Sequence, residues 1–343
     1  MPPKKKQKNR NNGRNNQSFD DSRFLSEDSE RRYYDIFTRR SIRVERNVVL
    51  EDFRETRIAD WFETLGWTSI LSARGEAIVE WVREFYSNMR DVDNNAMCFK
   101  TWVRGQEHVI TVETIVALLQ IKRPNKVDYP FDLRTLPAPV DYDVIASEIC
   151  GFPRQWVDGL IYQNELTLEY RLLNIIVCAN IEPRGHSSDI SRERGFVLFA
   201  IGRGMSIDLP AMVFRTMAKI PKSTTTIGLP FGLFITQYLE SKRTPWTGEE
   251  RKIKVAKPIN KTTLARSESH VHEQPGGLRG DDGDVDVTVA GELPLEERVE
   301  LLETVIHAHI EMHQRDMEEI RGRFDRLEDM LRVWMGGCDD SGP

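Results

Sequence analysis

The sequence predicts a mainly α fold: a single helical domain with one small β-hairpin, a disordered N-terminal arm and linker, and a C-terminal coiled-coil helix. Three observations predict it. Apolar residues recur at helical spacing along most of residues 31–245. The period switches to alternation only between about 99 and 112. A heptad seam of about four repeats then runs through residues 306–334.

Residues 1–30 read as a disordered basic arm. Lys4, Lys5, Lys6, Lys8 and Arg10 precede a run of Asn, Gly and Ser with almost no apolar content. The body, residues 31–245, opens with a helix over roughly 28–40. Phe53, Ile58, Trp61, Phe62 and Leu65 follow at helical spacing, with Gly66 as a C-terminal stop. EAIVEWVREFYSNM puts Ile78, Val79, Val82, Phe85 and Tyr86 on one face, predicting an amphipathic helix. FKTWVRG and EHVITV are β-branched and aromatic, and Gly105-Gln106 between them predicts a hairpin. Thr111 with Thr114 predicts a capped helix over 112–120.

Pro124, Pro130, Pro137 and Pro139 mark a long loop. Asp141 caps the next helix. Leu166 to Ala179 is apolar on three sides, predicting a central buried helix ended by Pro183 and Gly185. Asp189 or Ser188 caps ISRERGFVLFAIGRG, which Gly202 and Gly204 stop. Asp208-Leu209-Pro210 places proline in the first turn of another helix. GLPFGLFITQYLESK closes the body. Residues 246–293 read as a disordered linker, rich in Gly, Asp and Ser beyond 267, and 336–343 as a disordered tail.

Between them, 294–335 reads as one long helix, with Pro294 at its start and Gly336-Gly337 at its end. Ile306, Ile310, His313, Met317, Ile320, Phe324, Leu327, Leu331 and Trp334 alternate in steps of four and three. Such a stripe beyond a flexible linker has nothing adjacent in sequence to bury against. It predicts a homo-oligomer through a coiled coil; a helix folded back on the body is the alternative.

Composition narrows the function classes. The chain has 343 residues, 48 Lys plus Arg and 54 Asp plus Glu, a net charge of −6. Residues 267–343 carry 20 acids and seven bases, so the first 266 residues are net +7. A basic body precedes an acidic tail. No apolar run approaches the ~18 residues of a membrane span. Cys98, Cys150, Cys178 and Cys338 form no CxxC pair, which argues against a zinc ribbon or a disulfide scaffold. With no secretory h-region the chain reads as intracellular, so the sequons at Asn16 and Asn260 stay unmodified. The lysine run favours the nucleus over the cytoplasm.

Candidate chemistry is sparse. His309 and His313 have i, i+4 metal spacing, with His307 nearby, but a third ligand is missing. Asp340-Ser341-Gly342 matches an aspartic-protease triplet but has no flanking apolar strand. Gly202-Arg203-Gly204 follows a helix rather than a strand, and His186 has no nucleophile beside it. No enzyme activity, metal, cofactor or small-molecule substrate is expected. Two basic clusters remain. One comprises Arg31, Arg32, Arg39, Arg40, Arg43 and Arg46, interleaved with Tyr33, Tyr34 and Phe37 and diluted by Glu30, Asp35 and Glu45. The other comprises Lys242, Arg243, Arg251, Lys252, Lys254, Lys257 and Lys261. They read either as solvated faces or as nonspecific phosphate contacts. The contacts assigned are Lys4, Lys5, Lys6, Lys8, Arg10, Arg39, Arg40, Lys252, Lys254 and Lys257.

FTRRSIRVERNVVLEDF, LGW, VREFYSNM and TWVRGQEHVITVETIVALLQI together resemble the putative plant transposon protein domain, found in plant retrotransposon-related reading frames. YRLLNIIVCANIEPRGHSSDISRERGFVLFAIGRGMSIDLPAMV is also similar, with Arg171, Asn174, Pro183, His186 and Ile207-Asp208 in familiar places. The resemblance covers about 30–245. The unit 101–121 is similar to the plant mobile domain as well. The resemblance implies a mobile-element-derived, Gag-like protein with no established active site. The chain departs from a complete Gag in having no CCHC knuckle, and no protease, reverse transcriptase or integrase segment accompanies it. The reading is a non-enzymatic assembly or interaction protein, with nucleic acid as a further partner and no membrane. The alternative is a nuclear nucleic-acid-binding or silencing-type adaptor.

Overall fold

The structure, a computed structural model, describes residues 19–128, 140–156, 160–183, 188–222 and 228–271. Lys4, Lys5, Lys6, Lys8 and Arg10 lie outside them, as do His186, the helix and seam expected over 294–335, His307, His309 and the DSG triplet. Among the described residues the fold is mixed α/β, with ten α-helices and seven strands in three sheets. This corrects the expectation of a mainly α domain with one hairpin. Four of the strands are three residues long, too short to show a period, and two of these pair across most of the body.

Helix α1 (Glu27–Asp35) starts at Ser26, whose side chain accepts from the Ser29 N–H, and has Glu27, Asp28 and Glu30 in its first turn. The helix expected to reach 40 breaks into a short 3-10 turn, Phe37–Arg39. Helix α2 (Ile58–Thr64) buries Ile58, Trp61 and Phe62, and Gly66 stops it in the left-handed region at φ +69°. The helix expected from residue 76 divides. Glu76–Ile78 is strand β1, and α3 is Val79–Ser87.

Strand β2 (Arg90–Asp93) adds a third member to the expected hairpin of β3 (Cys98–Val103) and β4 (Gln106–Thr111), in the order β2-β3-β4. The reversal falls at Arg104-Gly105, one residue before the expected position. Both have positive φ, +49° and +77°, as a two-residue type I′ turn requires. Thr111 forms the expected capping box with Thr114 and starts α4 (Val112–Leu119). Asp141 caps α5 (Tyr142–Cys150), accepting from the N–H groups of Asp143 and Val144.

Strand β5 (Leu160–Tyr162) pairs with β6 (Asp189–Ser191), so Ser191 rather than Asp189 or Ser188 caps α7 (Arg192–Gly202). Between them α6 (Leu168–Ile176) is the expected central helix, with Leu172, Leu173 and Ile176 fully buried. Each such side chain contributes about 1.5–3 kcal/mol of apolar burial. Asp208 caps α8 (Leu209–Lys219), with Pro210 in its first turn as expected, and α9 is Gly232–Ser241.

The body extends past both expected boundaries. Phe24, assigned to the disordered arm, is buried, and its ring meets Tyr33 at 5.2 Å. In the segment read as linker, Lys252–Lys254 forms β7, which pairs antiparallel with β1. Ile259 is buried and bridges Val48. Helix α10 (Lys261–Val271) packs on α6, where the Ser267 carbonyl accepts from Arg171 Nη1 at 2.7 Å. Backbone pairing and three buried positions, Glu250, Ile259 and Ser267, suffice to order this stretch, despite its low apolar content. Among the described residues no helix is long and apolar enough to cross a membrane.

Candidate nucleic-acid interface

Where β7 joins the body, two carboxylates are engaged by the main chain. Glu250 is buried; it accepts from the N–H groups of Thr247 and Gly248 at 3.2 and 3.0 Å, and pairs with Arg104 Nη2 at 3.2 Å. Those bonds and Arg104 hold the Glu250 carboxyl below its ordinary pKa, against the effect of burial, which is the largest single contribution. Glu80 accepts the Arg251 N–H at 2.9 Å, and Arg251 in turn accepts the Val79 N–H at the same distance. Two acids of this region are thus occupied by main-chain donors and an arginine.

The strand that emerges alternates. In β7 Ile253 is half-buried while Lys252 and Lys254 are exposed. Their register with β1 is Glu76↔Lys254, Ala77↔Ile253 and Ile78↔Lys252. Side chains two apart on a strand leave the same face about 7 Å from one another. Lys252 Nζ lies 3.5 Å from the Glu76 carboxylate and 4.5 Å from the centre of the Trp246 ring. The exposed Lys257 follows. Its carbonyl accepts from Arg46 Nε at 2.9 Å, and Ile259 N donates to Asn47 O at 2.8 Å. Residues 252–259 are therefore a strip bonded along its length to the body.

The first basic cluster fares differently. Arg40, read as a phosphate contact, is buried, with its guanidinium 5.2 Å from the centre of the Phe37 ring. Arg32 sits on the same ring at 5.5 Å. Burial first, then the charge of Arg32, lowers the Arg40 pKa. Arg40 is a packing residue, which corrects its assignment; Arg39 beside it is exposed. Arg83 connects the two clusters. Its Nη2 donates to the Arg40 carbonyl at 3.5 Å. Its pKa is lowered by burial and then by the neighbouring charge of Arg251, against Tyr33 and Glu80. Like charges thus lie close together here, around a buried Arg40 and a half-buried Arg83.

The structure thus places Lys252, Lys254 and Lys257 exposed on one strip, with the exposed Arg251 and Trp246 and the half-buried Arg83 near β7. Trp246 had a readable signal, an aromatic just before a basic run, but the linker assignment hid it.

Other polar centres are structural in geometry. Buried Glu84 is held by Arg23 at 2.7 Å and Arg104 at 3.1 Å. Arg194 Nη1 lies 2.7 Å from the Cys178 sulfur in the core. Gly202, as expected, belongs to a helix end, and a Cβ there would overlap the Tyr170 hydroxyl. An open groove of about 370 Å³ between 47–51 and 68–74 is lined by Thr68, Ser69 and Ser72 with one acid, Glu51, and one base, Arg74. Among the described residues no group of His, Cys, Asp and Glu is placed to hold a metal.

The family model of the putative plant retrotransposon-related domain matches residues 63–245. No curated protein and no solved structure matches the chain. The matched stretch supplies β1, and the basic strip pairs with it from just beyond the matched end. It covers more than half of the chain and runs from the end of α2 through α9, and by that match the chain belongs to the putative plant retrotransposon-related domain family.

Proposed function

We propose that this retrotransposon-related chain is a non-enzymatic interaction protein. It holds the nucleic-acid backbone on the β1–β7 face, and the helix expected over 294–335 brings copies of it together. The observation that carries the reading is the strip Lys252, Lys254 and Lys257, fixed on the body while Glu80 and Glu250 are engaged by main-chain N–H groups. Lysines so placed neutralise phosphates without reading sequence, and counterion release makes such binding steeply salt-dependent. The excess of seven positive charges over the first 266 residues favours the same partner.

Anisotropy of a labelled mixed-sequence oligonucleotide with the full chain tests this between roughly 50 and 200 mM salt. Affinity should fall steeply as salt rises. Replacing Lys252, Lys254 and Lys257 with glutamine should weaken binding and reduce the log–log salt slope by about one for each phosphate no longer neutralised. An unchanged slope in the triple variant removes the strip from the interface.

A further inference from the structure

Folding leaves one tryptophan of the described residues largely outside. Among the described residues Trp61, Trp67, Trp81 and Trp156 are buried and Trp102 is half-buried, whereas Trp246 is 53% exposed. Exposed indole surface is costly to keep wet, and here it is placed among cations. Lys252 Nζ lies 4.5 Å from the ring centre, Lys254 shares the strand face of Lys252, and Arg251 is exposed beside them.

We propose that Trp246 is a base-stacking platform, and that this face takes single-stranded nucleic acid in preference to duplex. This deepens, and rests on, the backbone contact proposed for β7. A duplex hides its base faces inside the stack and offers only its phosphates and groove edges. A single strand can lay a base on the indole while its phosphates meet Lys252 and Lys254, whose spacing follows from the strand repeat. Lys252 already rests on the ring by cation–π attraction, so a base arriving there brings its phosphate within reach of that ammonium. Stacking of this kind is indifferent to base identity, as every base presents a π-face.

The test uses the full chain with a labelled mixed-sequence single strand and a duplex of equal length at one salt concentration. The wild-type chain should bind the single strand more tightly. Trp246→Ala should weaken single-strand binding by roughly ten-fold or more, leaving duplex affinity and the salt slope unchanged. Trp246→Phe should retain most of the affinity. The fall in tryptophan emission on single-strand binding should be smaller in Trp246→Phe than in the wild type, a change that a purely electrostatic contact would not produce. The platform is refuted if Trp246→Ala binds the single strand like the wild type, or if the wild type shows no preference over duplex. If the triple lysine variant weakens both nucleic acids while Trp246→Ala alters neither, the backbone contact stands and stacking falls. If the wild type binds neither, both fall.

Discussion

Glu45 shows how one side chain can couple the body to pH. It is buried, and its two oxygens accept from Leu233 N and Phe234 N at 2.9 Å each, at the start of α9. The residue before α9, Phe231, is in the left-handed region and offers no capping side chain, so a carboxylate 188 positions away in sequence fills that role. Burial raises the Glu45 pKa from 4.5 to about 7, against the hydrogen bonds that favour the anion. The folded pKa therefore lies above the unfolded one. The stability this group contributes is fully present below pH 4.5 and is lost as pH rises through about 7. The slope in that window is about 1.4 kcal/mol per pH unit, for a loss on the order of 3 kcal/mol in all. Urea titrations at about pH 5 and pH 8 should show this loss in the wild type and a flatter dependence in Glu45→Gln. Equal pH dependence in the two chains would show that Glu45 is ionised throughout.

The hairpin turn shows why elements were legible to different degrees. Its strands alternate over six residues each and its helix opens with a capping box, so both were readable from 99 to 120. The turn position was not. Arg104 holds a positive φ that sequence habits give to Gly, Asn or Asp, and its guanidinium is fixed by Glu84 at 3.1 Å and Glu250 at 3.2 Å. A tertiary ion-pair network thus selects a turn that local propensity would place one residue later. At Gly105, by contrast, a Cβ would meet no atom within 4 Å, so φ alone constrains that position. Gly105→Ala should cost about 1 kcal/mol in denaturant midpoint analysis, and Gly105→Asn clearly less, since Asn tolerates the left-handed region. An equal cost would point to reduced chain flexibility rather than backbone strain. The strands β1, β5, β6 and β7 had no comparable local signature, because their partners are remote and three residues set no period. Their presence also moved the start of α3 and the cap of α7.

At the scale of the whole molecule, composition misplaced the boundaries for the same reason. Residues 246–271 look like linker when counted, yet they pair with β1, bridge Val48 and cover α6. The basic strip was therefore legible as charge but not as a surface, and Arg40 was legible as charge but not as core. The buried Phe24 likewise belongs to the body rather than to the arm. What remains beyond 271 still carries the acidic excess and the heptad stripe. A mostly apolar stripe of a- and d-type positions suits burial against a second helix, and His313 within the seam is the kind of polar residue that sets register. If that second helix comes from another copy, assembly and nucleic-acid binding reinforce each other, because linked basic faces engage one strand at high effective concentration. Light scattering on the full chain should then give a multiple of 39.7 kDa. Ile320→Glu with Leu327→Glu should return it to the monomer mass and leave the body's thermal unfolding unchanged. The same double variant should weaken binding to a long single strand more than to a short one, since only the long strand spans two faces. A monomeric wild type, or a double variant that keeps the wild-type mass, would exclude the seam as the site of assembly.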